Sequence, residues 1–435
     1  MEINSPGSGI AAELEMYFDL LWPVCRSITG NGTRESLQLL KKIIPLELHE
    51  VPSGSVVFDW VVPKEWNIRD AYILTPDGKK ICDFKQNNLH VLNYSIPVNS
   101  ELSFEELDVH LHSIAEMPDA IPYRTSYYEE AWGFCLTHRE RESLPREGTY
   151  KVLIDSSLEN GFLTYGDLVL KGETDEEILL TTYICHPSMA NNELSGPLVL
   201  AFLHRKIAAL KSRRYTYRFV FAPETIGAII YLNRHGFHLK EKLRAGYVVT
   251  CVGDAAAFVY KRSKQNDHEV NRVALHVLEH CGHSWTAVDF FAGGSDERQY
   301  CSPGFNLPVG SLMRSMYGTY KEYHTSLDNK DFISFEAMEK TIAVYFSIVR
   351  LLELNRFYIN NFPYCEPQLG KRGLYSSLGG SKEHTLIQNK RMHLLSFADG
   401  SMDLVSIAEK RGWYALEMED TILELEAAGL LSQQR

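Results

Sequence analysis

No apolar run in this 435-residue chain approaches the ~20 residues that a membrane-spanning helix needs. Positive charge is also in deficit: 44 Lys and Arg face 56 Asp and Glu, for a formal net charge of -12. Non-specific binding to nucleic acid or to an anionic membrane needs clustered Lys and Arg, so the balance argues against both. The eight cysteines (25, 82, 135, 185, 251, 281, 301 and 365) are scattered and include no CxxC pair. That excludes a disulfide scaffold and favours a reduced, cytoplasmic protein. The first 25 residues lack a basic region followed by an apolar one, so no signal peptide is expected. Internal repeats and low-complexity tracts are missing too.

What remains is ordinary for a soluble enzyme: 45% hydrophobic, 11% aromatic and 23% charged residues. The length predicts two or three domains. Residues 10–28 and 33–44 read as helices, with Thr33 as the N-cap of the second. Between 51 and 150, short β-rich runs such as "SVVFDWVV", "DAYILTP" and "LHVLNYSI" are broken by Pro, Gly, Asn and Asp, which predicts an inserted β-rich subdomain. From 151 to 365 strand and helix patterns alternate, and with residues 1–50 they predict an α/β core whose sheet is largely parallel. The continuous apolar run "EEILLTTYIC" is the expectation for a strand buried on both faces. Residues 366–435 read as a linker, three short helices and a winged helix-turn-helix. From 370 onward eight Lys/Arg meet nine Asp/Glu, a net of about -1, which favours protein contact or homo-oligomerisation over DNA reading.

Ligands of open α/β sheets bind at the carboxyl ends of strands. Polar residues stand at four such ends: His186 with Asn191, Asn192 and Glu193; Glu224; Asp254; and a long loop holding Ser295, Asp296, Arg314, His324 and Asp328. Zinc takes imidazole and carboxylate ligands and, when catalytic, leaves a position for water. His186, Glu193, Asp254 and His324 form such a set, with Glu224 as the general base and Asp328 placed to orient His324. Arg26, Tyr123, Arg124, Tyr127 and Tyr128 are candidates for lining a substrate cleft, and Arg314 for binding a carboxylate through its planar fork.

The segments "RSITGNGTRESL", "IPYRTSYYEEAWGFC", "CHPSMANNELSGP", "APETIG" and "EYHTSLDN" resemble bacterial aminopeptidase-like proteins of the zinc exopeptidase superfamily, often named for polysaccharide biosynthesis. The resemblance covers nearly the whole chain. It implies a zinc-exopeptidase-like α/β/α sandwich with an inserted β-rich subdomain and a C-terminal winged helix. It also implies that His186 and His324 correspond to the first and last histidine ligands and Glu224 to the base. Three departures stand out: Asn192 replaces the aspartate that bridges two metals, Thr225 replaces a metal-binding glutamate, and Thr250 replaces the strand-end aspartate. The expectation is therefore one zinc rather than two, with Asn192, Asp296 and Asp328 as further ligands or supports. The leading function is hydrolysis of a small peptide or amide. The alternatives are amide chemistry on an amino sugar and a non-catalytic binding or regulatory protein.

Overall fold

The computed structural model describes residues 9–374 and 382–434, so part of the expected linker lies outside the described residues. The chain divides into two compact units: Met1–Val270 with Ser284–Ile342, and Asn271–His283 with Ala343–Arg435. The first unit is built on an eight-stranded sheet. Its strands, in chain order, are β1 (Glu47–Pro52), β2 (Phe162–Leu170), β3 (Glu177–Tyr183), β4 (Thr216–Ala222), β5 (Leu243–Val249), β6 (Phe258–Lys261), β7 (Trp285–Val288) and β8 (Val309–Met313). In space they run β1-β2-β4-β3-β5-β8-β6-β7. The central pairings β4–β3, β3–β5 and β5–β8 are parallel, as expected from the alternation of strands and helices. β1–β2, β2–β4 and β6–β8 are antiparallel, giving a mixed α/β sheet that is parallel where its residues are most buried. Every residue of β3 and β4 is buried, which explains their largely apolar sequences, and the buried Arg218 of β4 is paired with Glu177 of β3.

The helices α1 (Gly9–Leu21), α2 (Asn31–Leu40), α3 (Ser195–Ala208) and α4 (Ile226–Lys242) belong to this unit. Two sequence expectations are corrected here. The first helix stops at Leu21, just before "WPVC", because Pro23 cannot continue it. The second is capped by Gly30 rather than Thr33, whose hydroxyl is turned back to donate to the Ser27 carbonyl. Gly196, in the first turn of α3, shows how closely helix and sheet meet. A Cβ there would lie 2.5 Å from both the Val249 carbonyl oxygen and Thr182 Oγ1, so only glycine lets the helix start against β3 and β5.

A four-stranded antiparallel sheet runs in the order Lys80–Ile81, Glu65–Leu74, Tyr150–Glu159, Val98–Leu102, so the inserted β-rich segment extends past the boundary expected at 150. "LHVLNYSI", expected as a strand, is instead a short 3-10 turn and a buried loop, started where Asn87 accepts from the Leu89 amide. "SVVFDWVV" folds as a tight hairpin of Val56–Val57 against Trp60–Val61. The second unit holds the helices Lys382–Phe397, Leu404–Glu409 and Glu419–Ala427 and a small sheet of Asp399–Asp403, Phe357–Asn360 and Leu431–Gln433, a winged-helix arrangement. All eight cysteines are free, and no described helix is long and apolar enough to cross a membrane.

His204, on α3, is buried beside Phe219, and neither of its ring nitrogens has a hydrogen-bond partner among the described residues. Burial, with Arg213 adding to it, pushes this imidazole down to about 4. A base whose folded pKa is depressed stabilises the fold above its unfolded value near 6.5, and that stability is lost as pH falls toward 4. His204→Leu removes both the orphaned nitrogens and the titration. Its melting temperature should exceed the parent's at pH 7, and by a wider margin at pH 5. A margin that stays constant with pH would remove the histidine from the account.

Candidate active site

The segment after β3 makes one wide helical turn over Ala190–Leu194 before entering α3. Asp328 holds that turn: its two carboxylate oxygens accept the Asn191 and Asn192 amides at 2.6 and 2.9 Å. Burial raises Asp328 to about 6 against the pull of these same bonds. Asp328 thus supports the turn and makes no bond to His324, the partner expected for it. Four non-glycine residues with positive φ surround the region: Ser188 (47°), Thr225 (64°), Cys251 (50°) and His324 (55°). Such backbone is uncommon for β-branched and bulky residues and persists where surrounding contacts hold it.

His186 sits just past β3. Its Nδ1 meets Glu193 Oε2 at 2.9 Å, and its Nε2 lies 3.7 Å from Glu224 Oε2. Glu193 also accepts from the Cys185 amide and lies 3.9 Å from the Arg26 guanidinium. Cys185, His186 and Glu193 are the one metal-sized cluster of donor atoms found among the described residues. Burial pulls His186 down, but the bond to Glu193 and the charges of Glu193 and Glu224 outweigh it and raise the imidazole. The ring of His324 is 5.4 Å from that of His186, and its Nε2 is buried with no hydrogen-bond partner. Burial, with His186 beside it, pushes His324 down to about 3, so it is a neutral donor at pH 7. The Tyr123 ring packs against both histidines, at 5.0 and 5.2 Å, and its amide donates to the His324 carbonyl at 2.8 Å.

The remaining predicted residues separate into those near the histidines and those spent elsewhere. Burial raises Glu224, while His186 and Arg298 pull it back. Asp296 accepts from the Thr225 amide at 2.7 Å, and burial next to Glu224 raises it well above the ordinary carboxyl range. Asn192 Oδ1 accepts from Tyr183 and Cys251, and Tyr183 in turn accepts from Thr250. Asp254 is fully engaged away from His186: Oδ1 accepts from Ala256, and Oδ2 from the Asn191 amide group and Ser315. Arg26 is buried, donating to the His186 and Leu21 carbonyls, so it supports the site from beneath instead of facing a cleft. Arg314 is likewise a brace, bonded to Thr341, Ala256 and Ala337 and stacked on Phe258. Sequence reasoning passed over Cys185 and Tyr183, whose only signal was position within an apolar strand.

A cleft of about 580 Å³ opens onto His186 and His324 and is walled by Tyr123, Arg124, His110 and Trp132. A family profile described as a domain of unknown function, DUF4910, matches residues 16–355. The chain belongs to this family. A winged helix-turn-helix profile matches residues 356–433 of this DUF4910 chain. A relative from Clostridium acetobutylicum, named for polysaccharide biosynthesis and an aminopeptidase-like domain, is 49% identical over 409 residues, covering 94% of this chain and 93% of its own. The crystal structure of a putative peptidase from C. acetobutylicum is 46% identical with a TM-score of 0.92, over 98% of this chain and 96% of its own. The zinc aminopeptidase BSAP from Bacillus subtilis shares the DUF4910 chain's fold at 13% identity, with a TM-score of 0.57 over 81% of this chain and 96% of its own.

Proposed function

We propose that the protein is a single-zinc, aminopeptidase-like hydrolase that cleaves a peptide or amide bond in the cleft beside Tyr123. The observation that carries this reading is the buried, unpartnered Nε2 of His324 beside His186, whose own Nε2 faces Glu224. Imidazole nitrogens are donors that zinc accepts, and the Glu224 carboxylate stands alongside as the base. His186 and His324 would hold the ion through their Nε2 atoms. Glu193 would then hold the His186 Nδ1 proton, leaving the Nε2 lone pair free for the metal. An ion on the Nδ1 side is disfavoured because Arg26 lies 3.9 Å from Glu193 and both side chains are buried. Asp254 is left out of the ligand set because both its oxygens are already bonded. Asn192, Tyr183, Thr250 and Cys251 offer no charge to balance a second dication, which supports one ion.

When bound, zinc supplies Lewis acidity toward water and the scissile carbonyl. Glu224 takes a proton from the attacking water at a carboxylate oxygen and delivers it to the leaving amine nitrogen. Its raised proton affinity suits both halves of that task. The Tyr123 ring, pressed on both histidines, excludes water from their outer faces.

Metal analysis combined with hydrolysis tests the proposal. Zinc-replete protein should retain about one ion per chain and hydrolyse aminoacyl reporters, and the His186→Ala/His324→Ala variant should hold less than ~0.2 ion. Wild-type zinc below that level would favour a non-catalytic binding module. The relative's name makes N-acyl amino sugars the second substrate class for the same assay.

A further inference from the structure

We propose that Arg124 is a specificity residue that anchors a carboxylate of the substrate. This rests on the hydrolase reading and names the substrate class. Arg124 follows Tyr123, whose amide is bonded to the His324 carbonyl, and its own carbonyl accepts from the Asn93 amide at 2.9 Å. Isolated bridges pair Pro122 with Thr325 and Asn93 with Thr125, so the backbone is pinned on both sides of Arg124, before it to the loop that carries His324 and after it to the segment at Asn93. The side chain leaves this fixed point into the cleft shared with His186 and His324.

The guanidinium is exposed, and no hydrogen bond or ion pair engages it among the described residues. The other arginines around the site are spent. Arg26 holds main-chain carbonyls, Arg298 donates to Thr225 and Gly294, and Arg314 is a buried brace. Glu129 lines the same cleft without forming an ion pair with Arg124. A planar fork held at a fixed point, with no protein anion to satisfy it, matches a carboxylate bidentately. The carboxylate belongs to the part of the substrate released as the amine. In a short peptide it is either the C-terminus or an acidic side chain.

Three substrates distinguish the sources: Leu-Ala, its C-terminal amide, and Leu-Asp with an amidated C-terminus. A hydrogen-bonded charge pair of this kind is worth about 10- to 100-fold, so kcat/KM for Leu-Ala should exceed that for the amide by that factor, chiefly through KM. Leu-Asp amide should match Leu-Ala if a side-chain carboxylate also reaches the fork, and the plain amide if only a C-terminus does. Arg124→Gln should bring Leu-Ala down to the level of its amide, and Arg124→Lys should fall between, since it keeps the charge and loses the fork. Wild-type indifference to amidation, or a preference that survives in Arg124→Gln, overturns the assignment. If wild type hydrolyses none of the three, the peptide-hydrolase reading fails by itself. Calorimetry on zinc-loaded protein then decides for Arg124: tighter binding of Leu-Ala than of its amide, lost in Arg124→Gln, supports the anchor. Equal or absent binding removes it.

Discussion

Glu224→Gln should abolish turnover while leaving zinc bound. The substitution preserves the shape of a side chain at the end of β4 and removes its capacity to accept a proton. Glu224 lies 3.7 Å from His186 Nε2, and His186 and His324 line the cleft. Positioned general bases contribute about 10²- to 10⁴-fold, and the same carboxylate also protonates the leaving amine, so a kcat loss of about 10³-fold or more is expected. Because the proposed ligands are His186 and His324, the zinc content should match that of the parent protein. Loss of zinc together with activity would make Glu224 a ligand. Full activity on a substrate the parent cleaves would end the mechanism. The pH profile supplies a separate readout: the parent's acidic limb should report a carboxyl titrating above the ordinary glutamate range, because burial raises Glu224. That limb should be missing from any residual activity of the glutamine variant.

Glu297→Ala should destabilise the first unit by about 3–5 kcal/mol, the cost of leaving a buried charge without its partner. Lys261, at the end of β6, is fully buried, and its ammonium donates to Glu297 Oε1 at 2.6 Å, Tyr317 at 2.8 Å and the Gly293 carbonyl at 2.7 Å. It also lies 3.6 Å from the centre of the Phe291 ring. Burial lowers the lysine from its ordinary value even with Glu297 beside it, so losing the carboxylate leaves a proton the interior disfavours. The pair ties β6 to the loop that carries Asp296, the carboxyl bonded to Thr225 next to Glu224. Chemical denaturation of Glu297→Ala should therefore show a lower midpoint, and Lys261→Met/Glu297→Leu should recover most of it. A single variant as stable as the parent would mean that water reaches Lys261 and that this strut contributes little.

The strands and helices around the site were legible because their signals are local. "EEILLTTYIC" and "YTYRFVFAP" are largely apolar since both faces of β3 and β4 are covered, and His186 and Glu224 stand just past the strand ends. "LHVLNYSI" carried an equally β-like composition, but its backbone follows the Asn87 cap and makes only isolated bridges, at Val91 and Asn93, instead of a strand. Arg26 and Arg314 were readable as cleft residues only while their surroundings were unknown. Both arginines are buried, with donors directed at main-chain carbonyls and, for Arg314, a threonine hydroxyl.

By itself the sequence determined the alternation of strand and helix, the polar residue at each strand end, and the replacement of metal-binding acids by Asn192, Thr225 and Thr250. The first two are properties of residue order and period, which local physics reads directly, and the third is what the resemblance to zinc exopeptidases implies. Only the tertiary structure decided where each carboxylate points. Glu193 turns to His186 Nδ1, Asp254 to Asn191 and Ser315, and Asp328 to the turn at 190–192. Asp254 and Asp328 meet partners more than 60 residues away in the chain, and those distances are set by how the loops close over the sheet. A carboxylate saturated by amide donors and one left free for chemistry look the same in sequence, because the difference lies in their neighbours.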